Sequence, residues 1–326
     1  MQFSKFAGSD ESITRLGFGA MGLGGTLGSY QEEELIRSVL HSLEKGVNLI
    51  DTARAYGDSE RLVGKALKEW TGKKPFLASK IQSRYPGGVG WGTVIPVEEA
   101  FPKGWLREST EISLRELDVD CIDLMQLHQY WPQWNKHEYW LEELLQLKQE
   151  GKIRYIGVSL PDQRHDIALP LVQSGMVDAV QTVFNIFDPL ALDCLIPFCQ
   201  ENNVAFIARC IMDEGGLSGF LTEDTKFEDS DYRKSFFDYV PRSMYMERID
   251  RLRQFVPQYA DSLAELAIKF VLKHPGVTTA LVSMHVPEYA DQNIAVLAKD
   301  PLPDEVFEEI FRYHRWIRNF YDTKFW

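Results

Sequence analysis

The sequence has few cysteines, and they form no recognisable motif. The four lie in or beside apolar segments, at Cys121, Cys194, Cys199 and Cys210. None makes a Cys-x-x-Cys pair or a zinc spacing with histidine, which argues against a structural zinc site and against a redox-active pair. We therefore expect reduced and mostly buried thiols.

Histidine pairs of the kind that hold catalytic metals are also missing. None of the seven histidines belongs to a His-x-His pair, and only His128 lies at a predicted strand end. A metal-dependent barrel hydrolase is therefore the least supported alternative, because such a site needs several ligands that converge on one ion. We predict no metal.

Basic clusters and long apolar runs are lacking as well. The chain has 48 acidic and 35 basic residues and a formal net charge of −13, so a nucleic-acid-binding surface is not expected. No segment approaches the roughly 18 apolar residues that cross a bilayer, and the N-terminus has no apolar stretch with a cleavage-like site. We predict a cytoplasmic protein with no nucleic-acid or membrane partner.

Strand-like and helix-like segments alternate along the chain, which predicts a parallel sheet covered by helices. Eight short apolar runs, continuous rather than alternating, suit strands buried on both faces. These runs lie near residues 16–20, 47–51, 76–80, 122–127, 153–158, 178–181, 204–208 and 277–282. Helical segments are predicted at about 31–45, 58–71, 103–117, 137–150, 163–174, 189–202, 260–274 and 287–298. The pattern predicts an α/β fold, a (β/α)8 barrel that uses residues 1–326 as a single domain.

Two connections are longer than packing requires. Residues 82–101 are rich in glycine and aromatics, and residues 210–242 carry a glycine cluster followed by an acidic, aromatic stretch. Long connections in compact domains are usually functional or disordered, and we expect these two to form the functional rim. Further helices are predicted at 242–259 and 303–319. The aromatic tail after residue 319 either packs across the barrel, which we favour, or borders the substrate mouth.

Four chemically reactive side chains lie at or just beyond predicted strand ends: Asp51, Tyr56, Lys80 and His128. Each has an ordinary interpretation, respectively a helix cap, a loop aromatic, a surface charge and a buried imidazole. Strand ends of a closed parallel barrel converge on one rim, however, so side chains far apart in sequence meet there. An acid, a phenol, an amine and an imidazole on one rim favour a catalytic site over coincidence.

The segments that contain these residues resemble the motif regions of the aldo-keto reductase superfamily. The similar stretches are residues 17–22, 49–57, 77–80, 124–128 and 151–159, and the similarity continues to Asn293. The resemblance implies reduction of a carbonyl by NAD(P)H, with Tyr56 as the general acid. Lys80 would lower the pKa of the phenol, Asp51 would hold Lys80 protonated, and His128 would position the carbonyl.

The resemblance also implies a nicotinamide dinucleotide, with NADPH as the first choice. Ser159 and Gln181 would bind the carboxamide. The family often has Asn after the serine, where this chain has Leu160, and Asn185 is a candidate to compensate. The other residues assigned to the cofactor in this way are Gly22, Arg209, Gly215, Leu217, Gly219, Ser283, His285, Tyr289 and Asn293. The glycines at 215–219 would let backbone N–H groups approach a pyrophosphate closely.

Two of these positions depart from the family pattern. Arg209 stands where many members have an aromatic that stacks on the nicotinamide; its guanidinium can stack too, but its charge would disfavour the oxidised ring. His285 stands where a basic residue usually grips the 2′-phosphate of NADPH. Because histidine is mostly neutral at pH 7, phosphate selectivity is expected to be reduced, and NADH is a serious competitor.

The predicted rim is rich in aromatic side chains, and the residues selected as substrate contacts are Arg84, Trp91, Trp131 and Phe187. This set suits a bulky carbonyl compound or a sugar ring, and Arg84 suits an anionic group.

Two alternatives to a reductase remain open. One is an NAD⁺-dependent dehydrogenase of a sugar or secondary alcohol, which His285 supports and Arg209 opposes. The other is a regulatory subunit that keeps the barrel and the cofactor but senses redox state for a partner. The complete set of four reactive residues favours catalysis.

Overall fold

Eight parallel strands close into a barrel behind an N-terminal hairpin. The computed structural model describes residues 1–28, 30–84, 95–131, 134, 139–229, 231–238 and 240–316. The antiparallel hairpin consists of β1 (Phe3–Lys5) and β2 (Ser12–Thr14). The barrel strands are β3 (Leu16–Gly19), β4 (Leu49–Asp51), β5 (Phe76–Gln82), β6 (Ile122–His128), β7 (Ile153–Ser159), β8 (Ala179–Val183), β9 (Ala205–Arg209) and β10 (Thr279–Ser283). They pair in chain order, and β10 closes the barrel against β3, which confirms the predicted fold class.

Helices cover the outside of the barrel. Those of the described residues are α1 (Glu32–Glu44), α2 (Ser59–Glu69), α3 (Val97–Ala100), α4 (Trp105–Leu117), α5 (Tyr139–Gln149), α6 (Leu169–Ser174), α7 (Leu195–Glu201), α8 (Arg233–Phe237), α9 (Arg242–Leu252), α10 (Leu263–Lys273), α11 (Pro287–Ala295) and α12 (Asp304–Tyr313). The predicted helices at 163–174 and 189–202 each begin with a 3-10 turn. The helix predicted at 303–319 is α12. None of the helices in the described ranges is long and apolar enough to cross a membrane.

The strands are buried on both faces, as their continuous apolar runs predicted. Every residue of β6 except His128 is buried, and all of β8 is buried. One face of each strand lines the barrel interior and the other packs against helices, so both faces must be apolar. Polar residues therefore stand out where they occur on the inward face.

The hairpin closes the amino-terminal end of the barrel. Phe6, which follows β1, is fully buried, and its ring lies 4.7 Å from that of Phe76 and 4.9 Å from that of Tyr155. Leu49 and Phe76 begin their strands and belong to the same apolar cluster. The opposite end of the barrel, where the strands finish, is thus the end left open for polar chemistry.

Some predicted features lie outside the described residues. They are the middle of the connection predicted at 82–101, namely residues 85–94 with Trp91, and the C-terminal residues 317–326. The connection predicted at 210–242 is described except for residues 230 and 239, and it contains a 3-10 segment, Asp213–Ser218, followed by α8.

The expectation that the cysteines are mostly buried is wrong for three of the four. All four are free thiols, but only Cys199 is buried, whereas Cys121, Cys194 and Cys210 are partly exposed. These three stand at the ends of helices or strands, where the chain leaves the core.

The hairpin plug yields a stability prediction. Phe6→Ala should lower the free energy of unfolding by about 3–5 kcal/mol, because it leaves a cavity beneath the barrel. Urea unfolding followed by circular dichroism measures the change. Phe3→Ala, in the same hairpin but 53% exposed, is the matched control and should change little. Equal small losses in both variants would show that the plug contributes no packing energy.

Candidate active site

Lys80 lies between Asp51 and Tyr56 on the open rim. Its ammonium donates to Asp51 Oδ1 in a short ion pair, to the Thr52 carbonyl at 2.9 Å and to the Tyr56 hydroxyl at 3.4 Å. The same ammonium is 4.9 Å from the centre of the Tyr56 ring. The acid, the amine and the phenol therefore form one continuous chain of contacts, as the sequence predicted.

His128 completes the group. Its ring is perpendicular to that of Tyr56, with 6.0 Å between centres. Burial, assisted by the positive charges of Lys80 and Arg209, lowers the pKa of His128 to about 3. The imidazole is therefore neutral, and its buried Nδ1 has no hydrogen-bond partner among the residues that the structure describes. A neutral imidazole with an unused nitrogen suits hydrogen bonding to a substrate.

The protonation states differ in one respect from the sequence prediction. Burial raises the pKa of the Tyr56 phenol, and the opposing effect of Lys80 is smaller, so the net shift is upward. Lys80 thus acts on the phenol in the predicted direction, but burial outweighs it, so Tyr56 is not made more acidic than an ordinary phenol. Burial would by itself lower the pKa of Lys80, but Asp51 and Tyr56 outweigh it and raise that pKa. Tyr56 is thus a phenol and Lys80 an ammonium.

Two glutamines fix the second oxygen of Asp51. Asp51 Oδ2 accepts from Gln181 Nε2 at 2.9 Å and from Gln126 Nε2 at 3.3 Å. Gln181 was predicted to bind a carboxamide; with its nitrogen engaged by Asp51, its amide oxygen is the atom for that contact. Gln126 was not predicted. The sequence could have indicated it, because Gln126 lies two residues before His128 and therefore on the same inward face of β6.

Ser159 lies at the end of β7, in register with Gln181 on β8. The two residues predicted to hold a carboxamide are therefore neighbours. The following Leu160 is buried. The side chain of Asn185, the candidate to compensate, is engaged within its own region: its amide nitrogen donates to the Cys210 carbonyl at 2.9 Å and its oxygen accepts two backbone N–H groups of its own turn. Its contact with a carboxamide stays a prediction.

Arg209 ends β9, and its charge acts on two of the four residues described above. It donates to the Leu160 carbonyl at 3.0 Å and to Asp162 at 2.6 Å. Its charge acts to lower the pKa of both Tyr56 and His128. The position predicted to stack on a nicotinamide thus acts electrostatically on Tyr56 and His128; the stacking itself stays a prediction.

The segment after β9 is a tight turn held by two tyrosines. Its backbone has positive φ at Asp213, Glu214, Gly215 and Gly219. Leu217 is fully buried, Tyr232 donates to Glu214, and Tyr245 donates to Asp213. These contacts hold the turn in one conformation. Its binding of a pyrophosphate through backbone N–H groups remains a prediction.

His285 lies in a polar cluster just beyond β10. Its Nδ1 is 2.5 Å from Ser283 Oγ, and its Nε2 is 3.2 Å from the Tyr30 hydroxyl. A Cβ at Gly22 would lie 2.6 Å from the His285 ring, so only glycine allows this approach. Burial, with a contribution from Arg233, lowers the pKa of His285 to about 4. The imidazole is uncharged at neutral pH.

The remaining predicted residues of this region join the same cluster. Asn293 on α11 donates to the Ser283 carbonyl at 3.3 Å. Tyr289 is 45% exposed, and its ring meets that of His285 edge-on at 5.7 Å. Five of the residues assigned to the cofactor therefore lie together: Gly22, Ser283, His285, Tyr289 and Asn293.

The predicted substrate contacts are not gathered in the same way. Arg84 is exposed and lies over the Trp105 ring at 5.0 Å. Trp131 and Phe187 are buried, and the Phe187 ring packs edge-on against Trp316 at 5.6 Å. Packing accounts for these two aromatics. Their contact with substrate stays a prediction, and Trp91 lies outside the described residues.

Known proteins are similar to this chain over most of its length. The model of the Aldo/keto reductase family matches residues 15–313. Aldo-keto reductase YhdN of Bacillus subtilis is 29% identical, covering 88% of this chain and 86% of that protein. The NADH-specific methylglyoxal reductase of Escherichia coli is 28% identical, covering 89% and 91%. The structure of glycerol dehydrogenase AKR11B4 from Gluconobacter oxydans has a TM-score of 0.77 at 26% identity, covering 96% and 95%.

Gly24 offers a test of how the loop positions Tyr56. A Cβ at Gly24 would lie 2.2 Å from the Tyr56 carbonyl, so Gly24→Ala must displace the loop. We expect turnover of a carbonyl substrate to fall by about a hundredfold, because misplacement of roughly 1 Å has that effect. Gly64→Ala is the control, since its Cβ would clash with the Glu116 carbonyl at 2.4 Å, between α2 and α4.

Both glycine variants should lower the melting temperature. Only Gly24→Ala should lower turnover when both are assayed well below their melting temperatures. Equal turnover in the two variants would show that the position of Tyr56 does not depend on Gly24.

Proposed function

Because the chain belongs to the aldo/keto reductase family and is an oxidoreductase of that family, we propose that it reduces an aldehyde or ketone to the alcohol. The observation that carries the proposal is the chain of contacts from Asp51 through Lys80 to Tyr56, beside a neutral His128. A proton donor, its charge support and a second hydrogen-bonding group thereby face the same side of the rim.

The residues on the rim fit a nicotinamide cofactor. Ser159 and the Gln181 oxygen offer hydrogen-bonding groups on adjacent strands, and the turn at 213–219 follows the next strand. The polar cluster around His285 follows β10, so these groups lie on consecutive strands of the barrel. The hydride for the carbonyl carbon comes from the reduced nicotinamide when it is bound.

Tyr56 is proposed to give its proton to the carbonyl oxygen. The raised pKa keeps the phenol protonated at neutral pH, which is the form that a general acid needs. Lys80 then stabilises the phenolate that remains, and Asp51 holds Lys80 in place. His128 hydrogen-bonds the carbonyl oxygen. These groups are in position before charge develops, which is the condition for effective electrostatic stabilisation.

Reduction is favoured over alcohol oxidation by two groups. Oxidation needs the phenolate of Tyr56 as a base, and burial disfavours that form. Arg209 adds a positive charge that opposes a cationic oxidised ring. The similarity to a glycerol dehydrogenase keeps the oxidative direction as the second candidate, whereas a regulatory role is opposed by the complete catalytic group.

For the cofactor we propose NADH ahead of NADPH, which reverses the first choice from the sequence. His285 is uncharged and engaged by Ser283 and Tyr30, so it supplies no positive charge to a 2′-phosphate. The relative from Escherichia coli named as NADH-specific supports the same choice. For the substrate we propose a small or sugar-like carbonyl compound, since two of the predicted aromatic contacts are engaged in packing.

Replacing the proposed acid tests the function. With NADH and a panel of aldehydes, ketones and sugars, Tyr56→Phe should lose turnover by at least about a hundredfold, because the proton donor is gone. Its affinity for NADH, measured by fluorescence titration, should stay within about twofold. Tyr313→Phe, on an exposed tyrosine of α12, is the matched control. Near-normal turnover of Tyr56→Phe would refute the role of the phenol.

The pH dependence follows from the same protonation states. A phenol pKa above its ordinary value keeps the acid form through neutral pH, and a His128 pKa of about 3 removes any titration of that imidazole between pH 5 and 8. Reduction should therefore be flat over this range, and oxidation of the alcohol should rise towards alkaline pH. Profiles of kcat/KM in both directions measure this. An inflection near pH 6.5 in the reduction profile would contradict a neutral His128.

A further inference from the structure

An ion pair between Asp231 and Arg233 lies at the start of α8. Arg233 Nη2 is 2.6 Å from Asp231 Oδ2, and Arg233 Nε lies 2.9 and 3.1 Å from the two carboxylate oxygens. The backbone N–H of Arg233 also donates to Asp231, at 3.0 Å. Asp231 is only 7% exposed. The guanidinium is therefore held by a buried carboxylate in a forked geometry.

This pair contacts the segment that leads to Tyr30. Arg233 also donates to the Leu27 carbonyl at 3.4 Å, and its charge acts on His285. Burial has the largest effect on the pKa of Tyr30, and Tyr289, Arg233 and Asp231 act on it as well. Tyr30 is the hydrogen-bond partner of His285. The ion pair thus borders the residues to which the proposed function assigns the adenosine end of the cofactor.

Contacts link Arg233 to His285: Arg233 donates to the Leu27 carbonyl, and Tyr30, three residues later, lies 3.2 Å from His285 Nε2. In the described part of the chain, it is the one charged group that shifts the pKa of His285. His285 itself is neutral, so a phosphate in this cluster would depend on Arg233 for its positive charge. Arg233, however, is already neutralised by Asp231.

The Asp231–Arg233 ion pair interacts differently with the adenosine ribose of NADPH, which carries a 2′-phosphate, and that of NADH, which carries a hydroxyl. A phosphate must compete with Asp231 for the guanidinium and is repelled by the carboxylate. A ribose hydroxyl is uncharged and can donate to a carboxylate oxygen. We infer that Asp231 is a specificity-determining residue: it masks Arg233, so that the site accepts the unphosphorylated ribose of NADH and disfavours the 2′-phosphate of NADPH. The inference rests on the proposed function.

Asp231→Asn tests the masking directly. The amide keeps the shape of the side chain but removes the charge, which frees Arg233 for a phosphate. The affinity for NADPH relative to NADH should rise by about tenfold, the usual effect of one charge-assisted contact. Fluorescence titration with each reduced dinucleotide measures the ratio without turnover. Competition by adenosine 2′,5′-bisphosphate, compared with AMP, should show the same shift.

A second substitution shows which group responds. Asp231→Asn combined with Arg233→Gln should lose the gain in NADPH affinity, because the released cation is then absent. Asp10→Asn, which removes a carboxylate from the exposed pair with Lys5 in the hairpin, is the matched control and should leave the ratio unchanged. Asp231→Ser replaces Asp231→Asn if the amide variant melts well below the parent protein.

The outcomes separate this inference from the proposed function. Equal changes in NADH and NADPH affinity on removal of the Asp231 charge, or a gain that survives loss of Arg233, would overturn the masking. A parent protein that binds NADPH more tightly than NADH would overturn it too, while leaving carbonyl reduction intact. A parent protein that binds neither dinucleotide would overturn the proposed function itself.

Discussion

The ion pair between Lys80 and Asp51 is the interaction on which the active site depends. A fully buried ammonium is costly unless a carboxylate and further hydrogen bonds compensate it, and Asp51 and the Thr52 carbonyl provide both. Two glutamines hold the other oxygen of Asp51, which fixes the pair within the barrel. The charge of Lys80 is thereby kept next to the Tyr56 phenol, where a phenolate would form.

The barrel makes this arrangement possible by separating packing from chemistry. The hairpin and Phe6 close the end where the strands begin, with rings packed at 4.7 and 4.9 Å. The polar residues are left at the end where the strands finish. Gly24 lies so close to the Tyr56 carbonyl that a side chain there would displace the loop that carries the phenol.

Burial decides the charge of the titratable groups at both ends of the site. It keeps Tyr56 protonated and His128 neutral beside Lys80, and it keeps His285 neutral beyond β10. Permanent charges among these residues are paired: Lys80 with Asp51, Arg209 with Asp162, and Arg233 with Asp231. The proposed direction of reaction and the proposed choice of cofactor have the same physical origin.

The sequence by itself determined the barrel and the meeting of Asp51, Tyr56, Lys80 and His128. Strands are recognisable from short apolar runs in the local sequence. Because the ends of parallel strands converge in a closed barrel, residues that follow those runs must lie near one another. Only the tertiary structure decided the net shift of the Tyr56 pKa, the contacts of Gln126, the downward shift of the pKa of the histidine beyond β10 and the engagement of the nearby arginine. Each of these depends on burial and on partners brought together from distant parts of the chain, and neither quantity can be read from local sequence.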